Sequence, residues 1–113
     1  MNIKRVYIST PLKPEKFNLD LIQKMIMKER VFAFIPPTDQ MNDMYQGSRI
    51  DRLQLDLCDE VWVFGAIGRD CSWEIGYGDG LGKPIVFFET KDNEHILKND
   101  WMIQSGNLKI VKV

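Results

Sequence analysis

Apolar residues along this chain fall into two alternating patterns: short unbroken runs, and stripes spaced at three and four residues. The first run, Arg5 to Ser9 (RVYIS), is closed by Thr10, Pro11 and Pro14, and the second, Val31 to Ile35 (VFAFI), by Pro36 and Pro37. Glu60 to Phe64 (EVWVF), Pro84 to Phe88 (PIVFF) and Leu108 to Val113 (LKIVKV) follow, the last after a Gly106-Asn107 turn. Runs of this length, rich in β-branched and aromatic residues and bounded by Pro or Gly, predict five strands. Between the first two, Leu21, Ile22, Met25 and Ile26 form a stripe of helical period within Asn18 to Arg30. Asn18 is the expected N-cap there, with Phe17 placed to staple against Ile22. A second helix is expected to be capped by Ser48 or Asp51, with Ile50, Leu53 and Leu57 on one face. A third begins near Ser72 and stops at Gly82. Thr38 to Gly47 is the longest irregular stretch, and Asn93 to Ile103 is ambiguous, with a short helix as one reading.

Five strands separated by helical patterns predict a parallel sheet covered on both faces. The expected architecture is a three-layer α/β fold of flavodoxin-like or Rossmann-like type. Its five-stranded, mainly parallel sheet would have strand order 2-1-3-4-5, in a single domain spanning 1–113. In that order the C-terminal ends of strands one and three meet at the switch point, where loops and helix N-termini gather unpaired N–H groups. Tyr7, Ser9 and Thr10 would face the Gly65 to Trp73 loop across one cleft, with Glu74 in the first turn of the helix beyond it. Glu74 is the first candidate for chemistry.

Composition narrows the partners. The chain has 113 residues, 44% of them hydrophobic, which suffices for one core. Fifteen basic and sixteen acidic residues leave a net charge of -1, without the basic excess of a nucleic-acid groove or a surface for anionic membranes. Cys58 and Cys71 read as free thiols, and no apolar run approaches membrane-spanning length or forms a leader, so a cytoplasmic protein is expected.

Several chemistries fail on spacing. Gly82-Lys83 is followed by Pro84 at the wrong end of its helix for a phosphate loop. Gly78-Asp79-Gly80-Leu81-Gly82 precedes a strand, where a helix C-cap is the better reading than a dinucleotide fingerprint. A lone His95 and two separated cysteines make no metal cluster, so neither metal nor cofactor is expected. Neither cysteine has the arginine six positions on that a phosphatase loop requires. Ser9 and Thr10 occupy the place where a phosphoacceptor receiver would carry acids.

What survives is a site centred on a carboxylate. The strand V-Y-I-S, the segment Y-Q-G-S-R (Tyr45 to Arg49), the helix end L-C-D before V-W-V-F, and the block E-I-G-Y-G-D-G-L-G-K-P-I (Glu74 to Ile85) together carry a resemblance. Over Arg5 to Phe88 the chain resembles the nucleoside 2-deoxyribosyltransferase family and its relatives, the 2'-deoxynucleoside 5'-monophosphate N-glycosidases. The last block is the most specific part. The resemblance implies Glu74 as nucleophile, Tyr7 as the residue that orients it, and Asp59 as an acid associated with the nucleobase. It also implies a homodimer or larger assembly. The family's usual acidic or hydroxyl residue lies about two positions farther upstream of the glutamate than Asp70 does, and R-D-C-S-W-E stands here instead, so either Asp70 acts in its place from a tighter loop or the sugar pocket is altered. The chemistry is coherent in its own right: a carboxylate can capture an oxocarbenium-like centre as a glycosyl ester while a second acid protonates the departing base. Asp59 and Asp70 are the candidates for that acid.

Around this centre, Arg49 and Arg69 could hold a 5'-phosphate in a guanidinium fork, with Ser9, Thr10 and above all Ser72 as further donors. Gly65 lies in the loop facing strand one. Trp73 could stack a base, and Met41, Met44 and Tyr45 could form an adaptable apolar wall. Each has a plainer competitor: Glu74 as a complement to the helix dipole, Tyr7 as core, Asp59 as a turn residue, Asp70 as an N-cap, the arginines as solvated surface. The expected partner is a small nucleoside or nucleotide. Two other readings stand beside glycosidic chemistry. One is a non-catalytic nucleotide-binding module on the same fold; the other is an NAD-cleaving enzyme of the TIR type, which also relies on a glutamate.

Overall fold

A computed structural model describes residues 3–11, 15–36, 44–100 and 108–113, with the side chains of 44–48 outside the description. Five parallel strands form one sheet in the order β2-β1-β3-β4-β5. They are β1 (Arg5–Ser9), β2 (Phe32–Phe34), β3 (Glu60–Phe64), β4 (Ile85–Glu89) and β5 (Leu108–Lys112). The expected flavodoxin-like order is therefore the observed one. The register sets Tyr7 beside Phe34 on one side and Val61 on the other, which puts β1 in the sheet's interior.

The alternation of β1 divides the core in two. Val6 and Ile8 point to the face covered by α1 (Lys16–Glu29), where Leu21, Ile22 and Met25 meet Trp62, Phe64, Val86 and Phe88. Tyr7 points to the other face, among Leu55, Val61, Val63, Ile85, Phe87 and Leu97. That face is covered by α2 (Met44–Leu57), α3 (Arg69–Gly80) and α4 (Glu94–Asn99). Both faces being buried explains why the strands read as unbroken apolar runs. Close approach of α3 depends on Gly78, where a Cβ would stand 2.9 Å from Val61 Cγ2.

Three helix starts differ from the sequence expectation. Asn18 is no cap: α1 begins two residues earlier, Phe17 is 63% exposed and does not staple, and Asn18 is buried inside the helix. Its amide Nδ2 donates to Asp92 Oδ2 at 3.2 Å, so the polar residue is drawn inward by a partner from the turn after β4. Helix α2 starts at Met44, several residues before either proposed cap, and Asp51 lies in its interior. Its Ile50, Leu53 and Leu57 face outward, and Leu55 is the residue that packs on the sheet. Helix α3 starts at Arg69, with Gly68 in the cap position, so Glu74 sits in the second turn and Asp70 in the first. The described part of the ambiguous segment is the short α4. Residues 38–43, 101–103 and the Gly106-Asn107 turn lie outside the described residues.

Candidate active site

Strand β1 supplies two hydroxyls from one face. Tyr7 and Ser9 are two residues apart, so both side chains project toward α2 and α3. Glu74, reaching in from the second turn of α3, receives both: the Tyr7 hydroxyl donates to Oε2, and Ser9 Oγ donates to Oε1 at 2.8 Å. Tyr7 and Ser9 are themselves fully buried. Tyr7 is thus both a core side chain, tilted against Phe34 at 5.6 Å between ring centres, and a site side chain through its hydroxyl.

Burial pushes the Glu74 carboxyl above its ordinary range, against the two hydroxyl bonds that favour its ionised form; the charges of Asp51 and Asp70 push it further up. Burial and the adjacent Glu74 charge raise Tyr7, which therefore stays a hydrogen-bond donor. Asp51 is the residue the sequence reading missed as chemistry. It projects from α2 into electrostatic range of Glu74, Tyr7 and Asp70. Burial, then Asp70, raises its carboxyl as well. Its Oδ1 is buried without a hydrogen-bond partner, as is Oγ1 of Thr10 at the end of β1. Both Glu74 oxygens are therefore held by donors, whereas Oδ1 of Asp51 has none.

The other expected residues divide between this cleft and elsewhere. Asp70 is exposed in the first turn of α3, close enough for its charge to act on Glu74 and Asp51. Asp59 is not brought to Glu74. It precedes β3 at the opposite, N-terminal edge of the sheet, where Oδ2 accepts the Arg5 backbone N–H at 2.8 Å. Ser72 spends its hydroxyl on the Gly68 carbonyl, 2.8 Å away in its own helix. Arg69 is exposed at the start of α3, and Arg49 is exposed on α2. Trp73 stacks on Tyr77 with ring centres 5.1 Å apart and carries the Arg52 guanidinium at 5.4 Å, so its ring is engaged with α2. Cys71 is buried beside Ser9, and burial raises its thiol, which suits a packed side chain more than a nucleophile. Met41 and the side chains of Met44 and Tyr45 lie outside the description.

The loop that joins β3 to α3 is fixed from below. Gly65 has φ +77°, and a Cβ there would fall 2.7 Å from Asn18 Nδ2, so glycine is required by conformation and by space. The buried Asn93 amide donates to the carbonyls of Gly65 and Phe88 at 3.0 and 3.1 Å and accepts the Thr90 N–H at 2.8 Å. Asp92 accepts from Asn18 and from the Thr90 hydroxyl. Gly65 is thus buried beneath Asn18 and Asn93 at the start of the loop.

Among the described residues, no group of His, Cys, Asp and Glu could hold a metal ion, and no helix is long and apolar enough to cross a membrane. The hydroxyls and carboxylates stand at the C-terminal edge of the sheet, the edge where ligands collect in open α/β folds. Comparison with solved structures makes the fold more particular. The chain is similar to the 2-deoxyribosyltransferase of the psychrotolerant bacterium Bacillus psychrosaccharolyticus, with a TM-score of 0.73 at 16% identity, over 96% of this chain and 86% of that one. No protein-family model matches the chain, and neither does any curated protein. The deoxyribosyltransferase fold expected from the sequence is thereby the fold found.

Proposed function

We propose that the chain cleaves or transfers the N-glycosidic bond of a nucleoside or nucleoside 5'-monophosphate, with Glu74 as nucleophile. What carries this reading is the Glu74 carboxylate itself, held at both oxygens by hydroxyls of β1, with a second carboxyl, Asp51, in electrostatic range. The fold shared with a 2-deoxyribosyltransferase supports a nucleoside as the substrate class. In the first step a Glu74 oxygen bonds to the anomeric carbon as the carbon–nitrogen bond breaks. The electron pair of that bond leaves with the base, which takes a proton from the Asp51 carboxyl. In the second step water or another base attacks the anomeric carbon, the ester breaks, and Asp51 recovers a proton from the attacking group. The Tyr7 and Ser9 hydroxyls keep Glu74 in one orientation and favour its ionised form against the effect of burial. Asp70 adds negative charge that raises the proton affinity of Asp51.

The test is release of free base from a panel of deoxynucleosides and their 5'-monophosphates, with and without an acceptor base. Release is expected from the parent protein and not from folded Glu74→Ala or Glu74→Gln. No release from any substrate under either condition overturns the proposal. Thermal stabilisation by a nucleotide without product would then identify a binding module, and nicotinamide released from NAD would identify the TIR-type reaction.

A further inference from the structure

Asp51 and Glu74 stand on different helices and are held differently. Hydroxyls of β1 bind both oxygens of Glu74, whereas Oδ1 of Asp51 is buried without a hydrogen-bond partner. How far Asp51 lies from Glu74 therefore depends on how α2 is seated against α3. Helical spacing shows what seats it. On the inner side of α2, Asp51 is followed at i+4 by Leu55, which packs on the sheet. On the inner side of α3, Glu74 is followed at i+4 by Gly78, which lets that helix approach Val61. One residue beyond the first pair stand Arg52 and Asp56, and one residue before the second stand Trp73 and Tyr77. These four meet along the seam between the helices. The Arg52 guanidinium lies 5.4 Å from the centre of the Trp73 ring and 5.9 Å from that of Tyr77, within the range of cation–π attraction. The two rings stack with planes 12° apart, and the Tyr77 hydroxyl donates to Asp56 Oδ1 at 2.7 Å. Farther along, Lys83 Nζ donates to the carbonyls of Asp56 and Cys58 at 3.0 and 2.7 Å and closes the far end of α2.

We propose that Arg52 and Trp73 are positioning residues, whose contact fixes the separation of Asp51 and Glu74. Each is the chain neighbour of one of the two carboxylates, so the seam is clasped where that separation is set. Trp73 is 48% exposed and belongs to neither core cluster, so its ring serves the seam and not the core. This role rests on the reaction assigned above to Glu74 and Asp51: one carboxyl attacks while the other donates a proton, and both must reach the same glycosidic bond.

Carboxyl titration by NMR, run beside steady-state base release, tests the placement. The groups that face Glu74 are the Tyr7 and Ser9 hydroxyls from β1, Asp51 from α2, and Asp70 and Cys71 from its own helix. Trp73→Leu removes the ring and changes no charge. As α2 draws away, Asp51 acts less on Glu74 and water reaches it, so Glu74 is expected to ionise at lower pH than in the parent. With that shift kcat is expected to fall about tenfold to a hundredfold with KM unchanged. Trp73→Phe keeps a ring face for Arg52 and is expected to restore both readings. Lys83→Gln, at the far end of the seam, is expected to lower Tm and move neither. Glu74 ionising at the parent pH in folded Trp73→Leu overturns the proposal. So does an equal shift in Lys83→Gln, which would mark general loosening of the fold. A rise in KM at constant kcat also overturns it and makes Trp73 a contact to substrate. The titration needs no turnover, so it decides the placement even if no base is released, and the two failures are told apart.

Discussion

Glu74 Oε2 accepts the hydroxyl of Tyr7, a residue 67 positions earlier that is otherwise wholly built into the core. The pairing separates two contributions of Tyr7 that can be measured independently. Tyr7→Phe retains the ring among Leu55, Val61 and Phe34 and removes only the donor. Base release is expected to fall by about tenfold to a hundredfold with the fold intact, the scale of losing one charge-assisted bond to a reacting group. Ser9→Ala removes the other donor, and either change is expected to raise the pH at which Glu74 ionises, read from its side-chain carboxyl signal by NMR.

Rate against pH is expected to be bell-shaped. Glu74 must be ionised to attack and its carboxyl is raised, so activity falls on the acid side as it gains a proton. Asp51 must be protonated to donate and is also raised, so activity falls on the alkaline side as it ionises. In Asp51→Asn the alkaline limb is expected to disappear along with most of the rate. Asp70→Asn, which removes a neighbouring charge, is expected to move both limbs to lower pH while leaving a substantial rate. An unchanged alkaline limb in Asp51→Asn would reassign the acid.

A carboxylate kept half-buried has a cost in stability. Because the folded state raises the Glu74 carboxyl above its unfolded value, its ionisation at neutral pH works against folding, and this opposition fades as pH falls through the raised value. Glu74→Gln is therefore expected to have a higher Tm than the parent at pH 7 and to lose that advantage toward pH 4. Calorimetry at the two pH values checks both parts.

Asp59 offers the reverse case, a carboxylate that belongs to the fold. Asp59→Ala removes the acceptor for the Arg5 N–H at the sheet's N-terminal edge and is expected to cost about 1 kcal/mol in urea unfolding. Base release per folded molecule is expected to stay at the parent level.

At Gly65 the loop and the α1 face meet. Gly65→Ala would force a left-handed conformation on a residue with a Cβ and press it against the Asn18 amide. A loss of about 2 kcal/mol in denaturant unfolding is expected.

Much of the sheet was legible because it is buried on both faces. β1 and β3 have the limits their apolar runs predicted, and Tyr7 and Glu74, named from sequence, are in contact. Asp51 was illegible for a physical reason. An apolar stripe is ordinarily taken as the inner face of a helix, and on α2 the stripe of Ile50, Leu53 and Leu57 is the outer one. The inner face includes Asp51, a residue type that suits a helix cap equally well. Asp59 misled in the opposite direction: its position before β3 is near β1 in the sheet but at the wrong end of it. Asn18 has the composition of a cap, and only its long-range partner Asp92 explains why it is buried inside the helix.

Tyr7 and Ser9 reach Glu74 from alternate positions of a single strand, and between them stands Ile8, which faces the other side of the sheet. Displacing β1 by one residue would therefore turn both hydroxyls away together and present Val6 and Ile8 to the carboxylate. The site has no half-assembled form. A collapsed chain with its helices in place but its central strand misaligned would lack this arrangement, so the proposed base release, followed during refolding, should report the correct pairing of β1, and nothing earlier.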